Sequence, residues 1–373
     1  MEITLKRTED QIALIKAIAS KNRDIAYEAR AAIAELVGPV ISEVINNAPT
    51  LSNFYKRMPY SENDNPSIPL DLFHDITDEQ YIRVHSQTVA GGLSSNEMYL
   101  AHDELKFKTY SLNSAWSVNK RYPRQARLDV ISAIFTRMAQ EFLLLQEKSS
   151  VNQWCGALVV ADTKIQGTAE QGNHVIDATN ANQLSIDDFN RLLTRSKRIW
   201  SNWSTGTPAG GARFGITDLI MSPEMTQEIR AMAYQPVNTR QATSGTSSIP
   251  ATDNMRNEIM SKAGYPSIFD VNIIELLEMG LNQRYNKIFS EINELEGSPV
   301  TFTQASDEIL LGVDRNKSNA LIRPVVQDED ASSDVNVVPD DQFVDRSKKV
   351  GWYAEVNEAR IVLEDRALTG LKV

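Results

Sequence analysis

Residues 105–147 read LKFKTYSLNSAWSVNKRYPRQARLDVISAIFTRMAQEFLLLQE. Its first part alternates apolar and polar side chains, which predicts a β-strand. Pro123 then opens a helix that we expect to reach Lys148, a rod of roughly 35 Å at 1.5 Å per residue. Apolar residues recur along it at alternating spacings of three and four, so they form one seam. The predicted seam consists of Leu128, Ile131, Phe135, Met138, Phe142 and Leu145.

The composition is that of a globular chain without a membrane span. Of 373 residues, 42% are hydrophobic and 23% are charged, which is ordinary for soluble proteins. No window approaches the roughly 18 uninterrupted apolar residues of a transmembrane helix. The N-terminus also lacks the apolar core of a secretory signal. We therefore expect a protein made inside a cell, with no membrane partner.

Residue counts give little support to metal or thiol chemistry. Cys155 is the single cysteine, which excludes an intramolecular disulfide and a cysteine-rich zinc site. His74, His85 and His102 have aspartates nearby in the sequence, and we interpret them as surface residues rather than general bases or ligands. The glycine-rich stretch 206–211 lacks the Gly-Lys-Ser/Thr ending of a phosphate-binding loop. We predict no catalytic residue, no metal and no cofactor.

Charge is negative overall and unevenly distributed. The net charge of −11 argues against a protein that grips nucleic acid, because gripping needs clustered Lys and Arg. It does not argue against one that encloses nucleic acid. Residues 291–345 hold thirteen acidic side chains, and complementary surfaces favour self-association, although solvated faces explain them equally well. The mildly basic counterpart consists of Lys120, Arg121, Arg124, Arg127 and Arg137.

The N-terminal region predicts an amphipathic helix. A capping-box pattern at Thr8–Gln11 starts it, and Gly38-Pro39 is expected to end it, with a second short helix over 40–46. Its apolar stripe must be buried, either on its own domain or on a neighbour's. The stripe includes Ile12, Ile15, Ile33 and Leu36.

Residues 49–116 predict an extended hairpin. Residues 81–89 and 105–112 alternate in polarity, and 91–96 supply turn residues between them. Arms of fifteen to twenty residues would span roughly 50–60 Å, so the hairpin would project beyond its own domain. A lone hairpin is marginal in water, so another subunit would have to support it. The side chains expected at that contact are Tyr81, Val84, Val89, Leu93, Met98 and Tyr99.

The remaining sequence predicts an α+β chain. Helix starts stand at Ser185 and at Ser222-Pro223, and Ser/Thr-rich 236–254 and acidic 327–345 are expected to be loops. Buried strands are expected over 214–221, 269–277, 308–313, 351–356 and 359–363.

In this order, the elements resemble the major capsid proteins of tailed bacteriophages, which have the Hong Kong phage shell fold. The likeness covers about residues 50–373. It rests on Leu105-Lys-Phe-Lys, Trp116-Ser-Val118, the long helix, the step Ile216–Glu224 and the closing strands. The domains that it implies are an N-terminal arm over 1–50, an extended loop over 51–116, a peripheral domain over 117–184 with spine helix 123–148, an axial domain over 185–345, and return strands over 346–373.

The resemblance implies a structural protein and no enzyme. Such a subunit assembles into pentamers and hexamers of an icosahedral shell around double-stranded DNA, and it belongs to the virion after assembly in the host cytoplasm. Expected partners are other copies of the chain, a separate scaffolding protein, a portal and decoration proteins. One alternative is a bacterial nanocompartment (encapsulin-type) shell. The other is a carboxylate-based hydrolase around His74 or His174.

Overall fold

A computed structural model describes residues 8–48, 50–61, 67–69, 104–164, 174–180, 183–199, 215–232, 236–238, 248–250, 267–296, 300–316, 320–327, 333–340 and 348–373. The chain divides into two compact units, each assembled from segments distant in sequence. Unit 1 comprises residues 1–67, 106–150 and 321–361, and unit 2 comprises 68–105, 151–320 and 362–373. Within the described ranges, no helix combines the length and apolar character required to cross a membrane.

Two helices open unit 1. Helix α1 spans Glu9–Ile18 and helix α2 spans Arg23–Asn46. Thr8 caps α1 as predicted, since its hydroxyl accepts a hydrogen bond from the Gln11 amide. The predicted break at Gly38-Pro39 is wrong, because α2 continues through both residues. The break falls instead at residues 19–22, before Asn22 caps α2 through the Asp24 amide.

Tertiary packing explains why α2 tolerates a glycine and a proline in its interior. Gly38 is buried, and a Cβ there would lie 3.3 Å from both the Ser333 hydroxyl and the Val335 carbonyl oxygen. The glycine therefore lets the helix approach the chain at residues 333–335 closely. The free energy gained by burying the helix against these residues offsets the cost of the backbone hydrogen bond that Pro39 cannot make.

The long helix is longer and starts later than predicted. A single turn, α3 (Arg121–Arg124), is followed by Ala126 in a left-handed conformation with φ 51°. Helix α4 then runs over Leu128–Lys164, about 55 Å at 1.5 Å per residue. The turn before it absorbs Pro123, so the proline does not begin α4.

The six-stranded sheet of unit 1 lies against these helices. Strand β14 is its centre and pairs antiparallel with β4 along ten residues, from Lys349 opposite Asn119 to Glu358 opposite Tyr110. Strand β13 flanks the other edge of β14, and it occupies part of the region predicted to be an acidic loop. Strand β1 pairs in parallel with β12. The strands are β1 (Lys56–Tyr60), β4 (Tyr110–Asn119), β12 (Leu321–Val326), β13 (Asn336–Asp340), β14 (Lys349–Glu358) and β15 (Ile361–Val362).

One hydrophobic core joins α1, α2, α4 and this sheet. The Phe135 and Trp352 rings meet edge to face there, with centroids 5.3 Å apart. The helix seam predicted from the sequence supplies four buried members: Ile131, Phe135, Met138 and Phe142. The prediction that Leu145 belongs to the buried seam is wrong, because its side chain is 49% exposed. The side chain of Leu128, the first residue of α4, lies outside the described ones.

Unit 2 is built on a second six-stranded sheet, in the order β5-β16-β11-β6-β10-β9. Its strands are β5 (Val175–Asp177), β6 (Asp218–Met221), β9 (Ser267–Ile268), β10 (Val271–Glu275), β11 (Ile309–Val313) and β16 (Leu368–Lys372). Its helices are α5 (Ile186–Ile199), α6 (Pro223–Met232) and α7 (Arg284–Glu296). Ser185 and Ser222 cap α5 and α6 as predicted, and the predicted α+β class is confirmed.

Two further strand pairs complete the described elements. Strands β2 (Ser67–Pro69) and β3 (Glu104–Lys106) are hydrogen-bonded neighbours. Strands β7 (Pro236–Asn238) and β8 (Ser248–Pro250) form an antiparallel pair within the segment predicted to be a loop.

Gly312 in β11 is a position where added volume should destabilise unit 2. A Cβ there would lie 2.7 Å from the Thr369 hydroxyl and 3.0 Å from a terminal methyl of Ile216. We expect Gly312→Ala to cost about 1–3 kcal/mol in the free energy of unfolding, because the packed sheet has to shift. Gly156, inside α4, has nothing within 4 Å of its Cβ position. Gly156→Ala should therefore stabilise by about 0.5–1 kcal/mol, and urea unfolding of both variants measures the contrast.

Candidate interaction surfaces

Among the described residues, no group of three or more His, Cys, Asp or Glu side chains could hold a metal ion. His74, His85 and His102, which the sequence analysis weighed as bases or ligands, lie outside the described residues, as does the glycine-rich stretch 206–211. His174 is the histidine that the structure places, and it is almost completely buried.

His174 is held as a structural side chain. Its Nδ1 atom lies 2.8 Å from the carbonyl oxygen of Leu368, to which it donates. The nearby Asp162 carboxylate is already engaged, because it accepts a hydrogen bond from the Val175 amide at 3.1 Å. Burial lowers the pKa of His174, against smaller raising effects of the Leu368 carbonyl and of the Asp365 and Asp162 charges. A buried, neutral imidazole that is hydrogen-bonded to the backbone favours a structural role for His174 over a role as the base of a hydrolase.

The lowered pKa of His174 predicts a pH dependence of stability. Below about pH 6.5 the unfolded chain binds a proton that the folded chain does not, so stability falls as pH falls toward the folded pKa. The slope from this one group reaches at most about 1.4 kcal/mol per pH unit. His174→Asn keeps a side-chain N–H donor and cannot titrate. Subtracting its urea-unfolding profile from that of the wild type should leave this slope, and an identical slope in both would contradict the assignment.

A network of buried charges lies at the centre of unit 1. Glu358 is completely buried between two arginines. The Nε atom of Arg323 lies 2.7 Å from Glu358 Oε2, and an Nη atom of Arg360 lies 3.3 Å from Glu358 Oε1. Gln146 on α4 donates to the same carboxylate at 3.1 Å. One carboxylate thus serves both arginines, and Arg323 has a second buried carboxylate, that of Asp334, at 3.9 Å.

The same network fixes the segment that leads into the predicted extended loop. Arg360 donates to the Ser52 hydroxyl at 2.7 Å and to the Ser150 hydroxyl at 2.9 Å. Glu147 on α4 accepts hydrogen bonds from the Leu51 and Ser52 amides, each at 3.0 Å. Residues 51–52 are therefore clamped to the long helix before β1 begins.

The described residues include the two ends of the predicted extended hairpin, 67–69 and 104–106, and residues 70–103 lie outside them. Because β2 and β3 are hydrogen-bonded neighbours, the chain leaves at residue 69 and returns at residue 104 beside its point of departure. The predicted contact residues Tyr81, Val84, Val89, Leu93, Met98 and Tyr99 lie outside the described residues.

The N-terminal stripe packs on its own chain. Ile15 and Ile33 are buried in the core of unit 1, and Ile12 packs partly buried against it. Of the two alternatives that the sequence left open, burial on its own chain therefore holds for these three residues. Leu36 differs from them, since it is 53% exposed.

Several rigid elements expose large apolar side chains, which sequence reasoning largely missed. On α4, Leu144 and Leu145 are both exposed side by side. In unit 2, Leu277 is 75% exposed and Leu281 is also exposed. Their loop is held by Gly280 at φ 126° and by a hydrogen bond from the Asn282 amide to the Gln304 carbonyl. Leu144 does not belong to the apolar seam with spacings of three and four, and this position could have identified it as an exposed side chain.

Neither a protein-family model nor a curated protein matches the sequence. Three of the solved structures to which the chain is similar are given as examples. They are the capsid of cyanophage P-SCSP1u (10% identity, TM-score 0.48, covering 85% of this chain and 86% of that chain), the capsid of an empty GTA particle (12%, 0.47, 87% and 90%), and an encapsulin complex from Synechococcus elongatus (11%, 0.43, 86% and 85%).

Proposed function

We propose that this chain is a shell subunit: the major capsid protein of a tailed bacteriophage or a closely related particle. The observation that carries the proposal is the set of apolar side chains exposed on rigid elements of both units, on α2, on α4 and on the loop over 276–283. A shell subunit needs several separate patches, because it meets several neighbours at once. A binding site for one small ligand would instead be a single concave pocket.

Assembly would then depend on many modest interfaces. Apolar area buried between subunits contributes about 25 cal/mol per Å², from which ordering costs must be subtracted. Under this proposal unit 1 corresponds to the peripheral domain with the N-terminal helices and the root of the extended loop. Unit 2 corresponds to the axial domain, which would meet its copies around five-fold and six-fold axes.

The charge of the chain supports an enclosing role toward DNA. A subunit with net charge −11 would repel the phosphate backbone over much of its surface, so packaged double-stranded DNA would remain mobile. Pentamers and hexamers of this chain, a scaffolding protein, a portal and decoration proteins are the partners that the proposal includes. The proposed location is the virion, after assembly in the host cytoplasm.

Size-exclusion chromatography followed by negative-stain microscopy tests the proposal. The purified full-length chain, alone or with its scaffolding protein, should elute as megadalton particles or as ring-shaped capsomers. A monomer of 41.7 kDa or a small oligomer under all conditions would contradict it. The contents of the particles separate the two kinds of shell, because DNA favours a capsid and a cargo protein favours a nanocompartment.

A further inference from the structure

The outer face of α2 combines acidic and apolar side chains. At 100° per residue, Ile25, Leu36 and Val40 fall within an arc of about 60° beside the buried face, and all three are exposed. Next to this arc the helix presents four exposed carboxylates. We call this surface the acidic face, and its charged members are Asp24, Glu28, Glu35 and Glu43.

A second surface of unit 1 is basic. The turn α3 and the start of β14 are joined there by a hydrogen bond from the Lys120 amide to the Lys348 carbonyl, 2.9 Å long. Tyr122 is exposed among the cationic side chains. We call this surface the basic corner, and its members are Arg121, Tyr122, Arg124, Arg127, Lys348 and Lys349.

The backbone of the basic corner is held in an uncommon conformation. Ala126 and Lys348 both have positive φ, 51° and 53°, where a side chain bearing Cβ is disfavoured. Such conformations persist when the surrounding structure imposes them, and they cluster at functional sites. Both strained residues therefore lie in or directly beside the basic corner.

Within the described part of the chain, none of the charged side chains of the two surfaces makes an ion pair with the other surface. Five like charges in the basic corner repel one another, and four carboxylates on the acidic face do the same. Each surface would be stabilised by a partner of opposite charge, and each carries apolar side chains that such a partner would cover.

We propose that the basic corner of one subunit docks on the acidic face of a neighbouring copy. The occupant is a second copy of this chain, because one chain carries both members of a charge-complementary pair. Two different patches make a heterologous contact, which repeats head to tail and closes into a ring or continues across a surface. The inference rests on the proposed shell function and adds to it the residues that join one subunit to the next.

Double-stranded DNA is the competing occupant of the basic corner. The acidic face favours a protein partner. It presents carboxylates opposite in charge to the basic corner and exposed apolar side chains, and both surfaces belong to unit 1. A corner that faced DNA would leave the apolar side chains of α2 uncovered.

Charge reversal tests the pairing. Glu35→Lys and Arg124→Glu each place like charges across the contact, so we expect particle yield at low salt to fall about tenfold in either variant. The double variant restores an opposite pair and should recover most of the yield, because the two effects are coupled. Arg198→Glu, an exposed charge on α5, is the matched control and should assemble normally. Thermal melts of the unassembled subunits check that all variants fold.

Disulfide trapping gives an independent measurement. Glu35→Cys with Arg124→Cys should form intermolecular disulfides in assembled material, while Glu35→Cys with Arg198→Cys should not. The natural Cys155 will not compete, because it is buried and burial raises the pKa of its thiol to about 12.

The outcomes separate this contact from the shell proposal. Normal particles from both single charge variants would overturn the contact and leave the shell function standing. So would a charge-reversed double variant that stays defective, together with a Glu35→Cys/Arg124→Cys variant that yields no intermolecular disulfide. If Arg124→Glu forms normal particles that retain less DNA, the basic corner binds DNA, and the proposed contact between subunits is also overturned. A wild-type chain that never assembles would overturn the shell function itself.

Discussion

Glu358→Gln is expected to destabilise unit 1 by about 3–5 kcal/mol, the cost typical of removing one member of a buried charge network. Glutamine has nearly the shape of glutamate, so packing is preserved and the change is one of charge. Arg323 and Arg360 are both almost completely buried. Without the carboxylate between them, two like charges would remain in the interior, and the nearest remaining carboxylate, that of Asp334, lies 3.9 Å from Arg323.

Urea unfolding of the unassembled subunit measures this effect. Glu355→Gln is the matched control, because Glu355 lies on the same strand and its carboxylate accepts a hydrogen bond from the Ser111 hydroxyl near the surface. We expect the control to change the free energy of unfolding by less than about 0.5–1 kcal/mol. Equal effects of the two substitutions would show that the Glu358 charge is not what holds the network together.

Replacing residues 70–103 with a short Gly/Ser linker is expected to abolish closed particles while leaving a soluble, folded subunit. The ends to be joined belong to β2 and β3, which are strand neighbours and therefore lie about 5 Å apart. A short linker can span that distance without pulling on either unit. The deleted segment contains the side chains that we propose to contact a neighbouring subunit.

The control for this deletion is a second replacement of the same design. Residues 239–247 join β7 to β8, an antiparallel pair, and their sequence TRQATSGTS contains no large apolar side chain. Replacing them with the same linker should leave assembly intact. Negative-stain microscopy and circular dichroism report assembly and folding separately, and normal particles from the 70–103 replacement would refute the role assigned to the hairpin.

Local sequence signals predicted local structure well. Thr8, Ser185 and Ser222 were each expected to start a helix, and each hydroxyl accepts a hydrogen bond from the amide three residues later. The reason is that a capping bond joins residues close in sequence. Alternation over 105–112 predicted one strand, and the structure divides this stretch between β3 and β4, with residues 107–109 outside both.

The errors arise where tertiary contacts override local preference. Gly38-Pro39 predicts the end of a helix by propensity, yet the close approach to residues 333–335 favours its continuation. The buried apolar seam of α4 ends at Phe142, and the polar side chains of Gln146 and Glu147 are buried after it. Their partners lie far away in sequence, so hydrophobic periodicity could not reveal them.

One signal for the buried network was present but went unused. Side chains alternate between the two faces of a strand, so Glu358 shares a face with Trp352, Ala354 and Val356. A glutamate in register with three apolar residues predicts a buried carboxylate that needs cationic partners. Arg323, within a strand of otherwise apolar and buried residues, was the corresponding cation.

Both units contain sheets whose neighbouring strands lie far apart in the sequence. The sheet of unit 1 needs β1 at residues 56–60 and β14 at residues 349–358, while in unit 2 β16 lies inside the sheet, between β5 and β11. Neither sheet can therefore be completed before β14 and β16 have been synthesised. Contacts this distant slow folding and expose the chain to aggregation. Production of the folded protein should accordingly benefit from chaperones and from low synthesis rates.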